Sequence, residues 1–274
     1  SALSGNFIFL TDGRYVKAVD VSNISQPQIS GSVELQPNVS DLKSRWFYVY
    51  AVASDKFDII DMSNPSVPTI VKFISISLSK LRGVAVQGRY AFLADYSNYL
   101  RVVDISDHSN PVLVFSLGIS GNPEKAFVRD SYVYIATQND GVKIVDISNP
   151  LSPSLIGSIL SGRPAMDLYV FGRYAFVVDK SDGLKIFDIS DPKNPISVSS
   201  YSVSDIYGVF VTGKYVFLAN RSLGLIILDI SNISMPNLSS ILSVSGAPEK
   251  VFATGPFVYM SKREGGFGIV NLEP

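Results

Sequence analysis

The chain has 274 residues, of which 46% are hydrophobic and 17% charged, so its apolar content suffices for a packed core and excludes an intrinsically disordered chain. Its 23 basic and 24 acidic side chains nearly cancel, which gives no electrostatic footprint for nucleic acid. The absence of cysteine and the single histidine exclude disulfides, thiolate nucleophiles and His-rich metal sites. No apolar run reaches the roughly 18 residues of a spanning helix, so we expect no direct membrane insertion.

A pentapeptide recurs along the chain at a nearly constant interval. It reads VDVSN at 19–23 and returns as IDMSN, VDISD, VDISN, FDISD and LDISN. Each copy has Ser two residues and Pro seven residues after its aspartate. The aspartates are Asp20, Asp61, Asp104, Asp146, Asp188 and Asp229, and Asn271 replaces the aspartate in a seventh copy. This period predicts seven tandem copies of one supersecondary unit of about 42 residues.

Each copy is expected to form four short strands separated by turns. In the fifth copy these are 165–171, 174–179, 184–190 and 196–203. Runs such as YAFLAD and LIILDI are almost continuously apolar, which indicates sheets buried on both faces. Antiparallel four-stranded units of this length are typical of a β-propeller, whose blades stack around an axis. The sequence therefore predicts an all-β fold, with six blades plus spare strands as the alternative to seven.

The two chain ends decide the blade count. The first copy opens on a short stub, Ala2-Leu3-Ser4, and the seventh stops before a fourth strand. We expect one propeller domain over 1–274, with the terminal blade short of an outer strand unless the extreme N-terminus supplies it.

The repeated aspartates are interpreted as structural turn residues. Asp, Ser, Asn and Pro favour turns because they fix φ or bond their own backbone. A calcium array is disfavoured, because each repeat offers one aspartate whereas calcium needs several converging oxygen ligands. The sequence predicts no metal site and no cofactor. His108 occupies a turn position that is proline in three other copies and isoleucine in two, so we expect an exposed turn residue.

The segment GRYAFVVDKSDGLKIFDISDPKNPISV at 172–198 resembles the LVIVD repeat, a propeller repeat of bacterial and archaeal proteins. It is more distantly similar to the YVTN repeats of archaeal surface-layer proteins. The resemblance covers essentially the whole chain and implies an extracellular or cell-surface location with an adhesive or scaffolding role. It brings no catalytic signature. Asp41, Lys43 and Asn271 depart from the pattern, which predicts distortion of the second and last blades.

A set of irregular positions lies within this regular frame. In a propeller, the connection from each outer strand to the next inner strand leads to the mouth of the central channel. An aromatic opens each second strand, at Phe47, Tyr90, Tyr132, Tyr174, Tyr215 and Phe257. The positions eight and seven residues earlier are Val39/Ser40, Arg82/Gly83, Glu124/Lys125, Met166/Asp167, Tyr207/Gly208 and Glu249/Lys250. Variation at such positions is expected of a site that reads an asymmetric ligand, and equally of drift on a solvated, mutually neutralising rim.

These observations favour a non-enzymatic surface propeller that binds a protein or glycan partner or acts as a scaffold. The candidate binding residues at the channel mouth are Arg82, Glu124, Lys125, Asp167, Tyr207, Glu249 and Lys250. The alternative is a hydrolase or lyase that uses Glu124, Asp167 or Glu249 as acid and base. A metal-stabilised module is a third hypothesis.

Overall fold

The computed structural model describes residues 2–11, 13–36, 38–263 and 266–272. All regular structure in these ranges is β, arranged in seven antiparallel sheets in which consecutive strands pair. The fold is the seven-bladed β-propeller predicted by the repeat, and the six-bladed alternative is wrong.

Blades 1 to 3 each contain four strands. Blade 1 consists of β1 (Ala2–Ser4), β2 (Phe7–Thr11), β3 (Tyr15–Asp20) and β4 (Gln28–Glu34). Blade 2 consists of β5 (Asp41–Arg45), β6 (Tyr48–Ala53), β7 (Lys56–Asp61) and β8 (Thr69–Ser75). Blade 3 consists of β9 (Leu81–Gln87), β10 (Tyr90–Asp95), β11 (Tyr99–Asp104) and β12 (Val112–Gly118).

Blades 4 to 6 repeat the four-stranded arrangement, and blade 7 has three strands among the described residues. Blade 4 consists of β13 (Pro123–Arg129), β14 (Tyr132–Thr137), β15 (Val142–Asp146) and β16 (Ser154–Ile159). Blade 5 consists of β17 (Asp167–Phe171), β18 (Tyr174–Asp179), β19 (Gly183–Asp188) and β20 (Ile196–Tyr201). Blade 6 consists of β21 (Ile206–Thr212), β22 (Tyr215–Asn220), β23 (Gly224–Asp229) and β24 (Asn237–Leu242). Blade 7 consists of β25 (Pro248–Thr254), β26 (Phe257–Lys262) and β27 (Phe267–Asn271).

The chain divides into two compact units. Unit 1 comprises Ser1–Val133 and Asp146–Ser154, and unit 2 comprises Tyr134–Val145 and Leu155–Pro274. Blades 1 to 3 belong to unit 1 and blades 5 to 7 to unit 2, while blade 4 contributes residues to both.

The core of each unit lies between neighbouring blades. In unit 1, Phe57 of blade 2 and Leu93 of blade 3 belong to one fully buried cluster. In unit 2, Phe176 of blade 5 and Leu218 of blade 6 belong to another. The second strands, such as β10, bury five of six residues, whereas outer strands such as β12 alternate between exposed and half-buried residues. Apolar runs without alternation thus mark the strands that are covered on both faces.

The end strands agree with the expectation from the sequence. The stub β1 pairs with β2, with Leu3 opposite Ile8, and forms the inner strand of blade 1. Blade 7 has no outer strand among the described residues. Blade 2 is an ordinary four-stranded sheet despite Asp41 and Lys43, so the predicted distortion there is not observed.

The repeated aspartates organise the turn that follows each third strand. In all six copies, the aspartate Oδ1 accepts a hydrogen bond from the backbone N–H of the serine two residues later, at 2.7–2.9 Å. A second Asx turn follows at once, as where Ser25 N–H donates to Asn23. Among the described residues, no group of three or more His, Asp or Glu side chains could hold a metal ion.

His108 lies in one of these turns but is half-buried rather than exposed. Its ring stacks on Tyr48 with centroids 4.0 Å apart, and its Nε2 is 2.8 Å from the Tyr50 hydroxyl. Burial lowers the pKa of His108. The imidazole therefore packs blade 3 against blade 2 at a position that is proline in three other copies and isoleucine in two.

Candidate functional site

Blade 2 requires a correction to the predicted positions. Tyr48, not Phe47, opens β6 and lies opposite Asp61, because the turn between β6 and β7 is one residue shorter than the equivalent turn of blade 3. Phe47 lies in the preceding hairpin and is 66% exposed. The irregular positions of blade 2 are therefore Ser40 and Asp41 instead of Val39 and Ser40.

The first residue of each irregular pair is a bulge in three blades. The register of the inner strand shifts at Arg82, Tyr207 and Glu249, so that none of the three has a partner opposite it. A β-bulge leaves one residue unpaired and redirects its side chain, and bulges are common beside functional sites. Glu124, at the same position in blade 4, is half-buried.

In unit 1, the second residues of the pairs in blades 2, 3 and 4 come together. Asp41 and Lys125 form an ion pair past Gly83, here called the charged bridge. The Lys125 ammonium lies 3.1 Å from the Asp41 carboxylate, and the Val84 N–H also donates to Asp41. Gly83 lies between them, and a Cβ on this glycine would be 2.7 Å from the Lys125 Cα. Only glycine leaves room for this close approach of neighbouring backbones.

In unit 2, the same bridge recurs with the same residue types. The Lys250 ammonium lies 3.0 Å from the Asp167 carboxylate and donates to the Tyr207 carbonyl at 3.2 Å. Gly208 lies between them, and a Cβ there would be 2.5 Å from the Glu249 carbonyl oxygen. Four charged residues that could have been ligand contacts thus neutralise one another in two pairs.

The bridges reveal a second period of three blades, which the 42-residue repeat conceals. Gly83 and Gly208 are 125 residues apart, as are Lys125 and Lys250. The sequence carries the signal: SGNPEKAF at 120–127 returns as SGAPEKVF at 245–252. The alignment on Phe47 obscured it, because that alignment displaced Asp41 from its equivalent, Asp167.

The surroundings of the bulge in unit 2 form a paired cluster. The Arg221 guanidinium lies over the Tyr207 ring, with Cζ 3.3 Å from the ring centroid, and forms an ion pair with Glu249. The Lys180 ammonium is 5.2 Å from the same ring centroid. Nearby, the Ser222 hydroxyl donates to Asp205. Cationic and anionic groups are thus brought together around one tyrosine.

The surroundings of the bulge in unit 1 are cationic. Tyr96 takes the position of Arg221, and both Lys80 and Arg82 lie over its ring, at 4.7 Å and 5.6 Å from the centroid. Within the described residues, neither Lys80 nor Arg82 forms an ion pair, and the Arg82 Nε is buried without a hydrogen-bond partner.

A pocket of about 460 Å³ opens beside these two cations. Three of its lining residues are cationic, four are polar and uncharged, and one is apolar. They are Arg14, Gln36, Asn38, Ser40, Ser54, Lys80, Leu81 and Arg82. No acidic residue is among these described lining residues, all of which belong to unit 1.

A buried carboxylate fixes the backbone at the edge of the pocket. Asp95, at the end of β10, is fully buried and accepts hydrogen bonds from the N–H groups of Lys80 and Ser97 and from the Ser79 hydroxyl. Its Oδ2 also forms an ion pair with Arg101 at 2.9 Å. Burial alone would raise the Asp95 pKa, but these hydrogen bonds outweigh it and lower the pKa.

The contacts that Asp95 makes at the end of its strand are here called the clamp. The clamp recurs in other blades with other polar residues, and it was not predicted from the sequence. Asp179 binds Arg163, and the Asn220 amide donates to the Ser204 carbonyl, so each ties a strand end to the incoming connection. Asp95 and Asp179 are therefore structural acceptors in the described turns.

Among the residues described, no helix has the length and apolar character that a membrane crossing requires. A comparison with curated proteins finds no match. Two solved structures share the fold at 12% sequence identity. One is the computationally designed Ika8 protein, with a TM-score of 0.73 over 98% of this chain and 95% of that chain. The other is a functionally unknown protein from Desulfotomaculum acetoxidans DSM 771, with a TM-score of 0.75 over 98% of this chain and all of that chain.

The family comparison agrees with the repeat read from the sequence. The LVIVD repeat model matches six segments spread along most of the chain: 2–34, 46–74, 80–118, 120–161, 162–203 and 205–244. The protein belongs to the LVIVD repeat family.

Proposed function

We propose that this protein is a non-enzymatic module of the bacterial or archaeal cell surface that binds a protein or glycan partner. One observation carries the proposal: the turn residues repeat in six of the seven copies, whereas the bulge positions Arg82, Tyr207 and Glu249 differ in charge and in aromatic character. A regular scaffold with variable side chains at redirected positions suits recognition of an asymmetric ligand. The family resemblance supports the surface location.

The contacts of Asp167 and Glu249, two of the carboxylates considered as acid and base, favour binding over catalysis. Asp167 is paired with Lys250, and Glu249 is paired with Arg221. General acid–base catalysis uses carboxyl groups whose environments separate their protonation states and leave them free to reach a substrate. Asp167 instead links blade 5 to blade 7, and Glu249 links blade 7 to blade 6.

The aromatic member of the unit 2 cluster gives the proposal its test. Tyr207 is half-buried with Arg221 and Lys180 over its ring, so the ring edge and the hydroxyl are the groups that it can offer to a sugar or a protein. The protein should be applied to a glycan array and to immobilised proteins of the cell envelope. Tyr207→Ala should weaken any binding found at least tenfold. Phe73→Ala, which removes a half-exposed aromatic from the outer strand β8, serves as the matched control.

Two results would overturn the proposal. One is the absence of any glycan or protein ligand for a chain whose circular dichroism shows an intact fold. The other is turnover of a substrate that is lost in Glu249→Gln or Asp167→Asn, which would establish the enzymatic alternative.

A further inference from the structure

We propose that the pocket of unit 1 lined by Arg14, Lys80 and Arg82 binds an oxyanion, namely a carboxylate, phosphate or sulfate group of the ligand. The inference rests on the proposed function, because it names the chemistry of the group that is recognised. It is carried by contacts that are independent of the unit 2 cluster.

The charges in the pocket are the first argument. Among the described residues, three cationic side chains line it and no acidic side chain does. Within the same residues, Arg14 has one anionic contact, a 3.6 Å approach to Glu34 in which both side chains are substantially exposed. Lys80 and Arg82 have no ion pair within the described residues. Like charges that share a pocket repel one another, so a bound anion relieves a repulsion already present in the empty pocket.

The second argument is an unsatisfied donor. Among the described residues, the Nε of Arg82 is buried without a hydrogen-bond partner; the Nε of Arg221 is too, but only the Arg221 guanidinium has a carboxylate partner, Glu249. A buried donor without an acceptor is unfavourable, and each such group in a folded protein calls for an explanation. An oxyanion oxygen is a suitable acceptor, because the planar guanidinium donates two parallel hydrogen bonds to carboxylate and phosphate groups.

The third argument is the set of neutral donors around the cations. Asn38, Ser40 and Ser54 also line the pocket. Their amide and hydroxyl groups can donate to the oxygens that the guanidinium leaves free. Charged and neutral donors around one concave volume of about 460 Å³ suit a small anion or an acidic sugar ring.

The side chains of Lys80 and Arg82 are held in place by neighbouring residues before an anion binds. Asp95 accepts from the Lys80 N–H at 2.8 Å and so fixes the backbone that carries this cation. The Tyr96 ring supports both Lys80 and Arg82 through cation–π contacts. The bulge at Arg82 turns its side chain out of the ladder. Side chains held in place before binding lose less entropy when the anion arrives.

The experiment measures the binding of four probes by isothermal titration calorimetry at pH 7: inorganic phosphate, sulfate, glucuronate and neutral glucose. The wild type should bind at least one anion and should not bind glucose. Arg82→Gln should weaken that binding tenfold or more, because it removes a guanidinium whose buried Nε has no hydrogen-bond partner among the described residues. Lys80→Gln should weaken it several-fold.

The control removes the same charge elsewhere in unit 1. Lys72→Gln lies on the outer strand β8, is exposed, and should bind the anion as the wild type does. Circular dichroism and thermal unfolding establish that each variant folds, and Lys80→Gln keeps the test valid if Arg82→Gln is unstable. A preference for glucuronate assigns the anion to an acidic sugar, and a preference for phosphate or sulfate assigns it to those groups.

The inference is overturned if no anion binds the wild type, or if Lys72→Gln weakens binding as much as Arg82→Gln. Its failure is distinguishable from failure of the proposed function. Glycan binding that needs Tyr207 but no anion would leave the function standing without this pocket. Anion binding without any macromolecular ligand would leave the pocket standing without the proposed function.

Discussion

The two units contain the same charged bridge in opposite surroundings. Asp41 and Lys125 are joined past Gly83 in unit 1, just as Asp167 and Lys250 are joined past Gly208 in unit 2. The positions that flank the two glycines have exchanged their chemistry. Lys80, Arg82 and Tyr96 of unit 1 correspond, 125 residues later, to Asp205, Tyr207 and Arg221 of unit 2.

The exchange changes the local charge without changing the fold. In unit 2, Arg221 has a carboxylate partner in Glu249, whereas in unit 1 the cation and the aromatic have changed places and Arg82 has no such partner. The repeated strands and turns therefore determine where side chains lie. The three side chains that differ between the units determine whether the local charge is neutral or cationic.

The largest expected effect is a loss of stability when the clamp residue is replaced, which is Asp95 in unit 1 and Asn220 at the equivalent position of unit 2. Asp95→Ala removes the partner of the largely buried Arg101 and should lower the free energy of unfolding by roughly 3–5 kcal/mol. Asn220→Ala removes hydrogen bonds at the equivalent position but leaves no unpaired charge, so we expect a loss of roughly 1–3 kcal/mol. Urea unfolding of both variants measures the difference. Equal losses would show that the Asp95 charge has no special role.

The second prediction concerns a position where blade 2 lacks the pairing seen elsewhere. Asp58 of blade 2 takes the position that Lys185 takes in blade 5. Lys185 pairs with Asp182, whereas Asp58 is buried and, among the described residues, its Oδ2 has no hydrogen-bond partner. Burial raises the Asp58 pKa from 3.8 to about 6. The folded state therefore binds more protons than the unfolded state between these values, and stability falls as pH rises from about 4 to 6.

Asp58→Asn should remove this penalty. The variant should be more stable than the wild type by at most about 3 kcal/mol at pH 8, and the difference should vanish near pH 4. Thermal unfolding across this pH range measures it. A constant difference at all pH values would contradict a buried, titrating carboxylate.

The third prediction tests the element that the two units share. Gly83→Ala and Gly208→Ala each place a Cβ within 3 Å of the backbone of the next blade, so both should lose roughly 1–3 kcal/mol of stability. Gly118→Ala is the matched control, because a Cβ there meets nothing within 4 Å. A large effect in only one unit would mean that the two bridges are not equivalent.

The smallest expected effect is a gain of binding in unit 2. Asp205→Lys combined with Glu249→Gln adds a cation at the position that Lys80 takes in unit 1 and removes the carboxylate partner of Arg221. The double variant should acquire phosphate affinity within about tenfold of the unit 1 pocket, on the strength of charge-assisted hydrogen bonds. Calorimetry in the Arg82→Gln background isolates the new site. No gain would show that charge alone does not make the pocket.

The sequence predicted the parts of this molecule that are local and repeated. The fold and the blade count followed from the 42-residue period, and the turn assignment followed from aspartate, serine and proline at fixed offsets. These features depend on residues a few positions apart, which any single copy displays.

The charged bridge and the pocket could not be predicted in this way. Lys125 of blade 4 pairs with Asp41 of blade 2, and no local sequence pattern predicts a pair separated by 84 residues. One deleted turn residue in blade 2 was enough to displace the alignment, so Asp41 was assigned to the wrong position. The role of Asp95 depends on the burial of its carboxylate, which is a property of the packed sheet rather than of the sequence.

The most direct test of the contrast between the units is the position of a bound oxyanion. Crystals soaked in selenate, a heavier analogue of sulfate, should show an anomalous peak within hydrogen-bond distance of Arg82 and Lys80, with none at Arg221. A peak at Arg221 with none at Arg82 would contradict the account, because it would place the anion where Glu249 already neutralises the guanidinium.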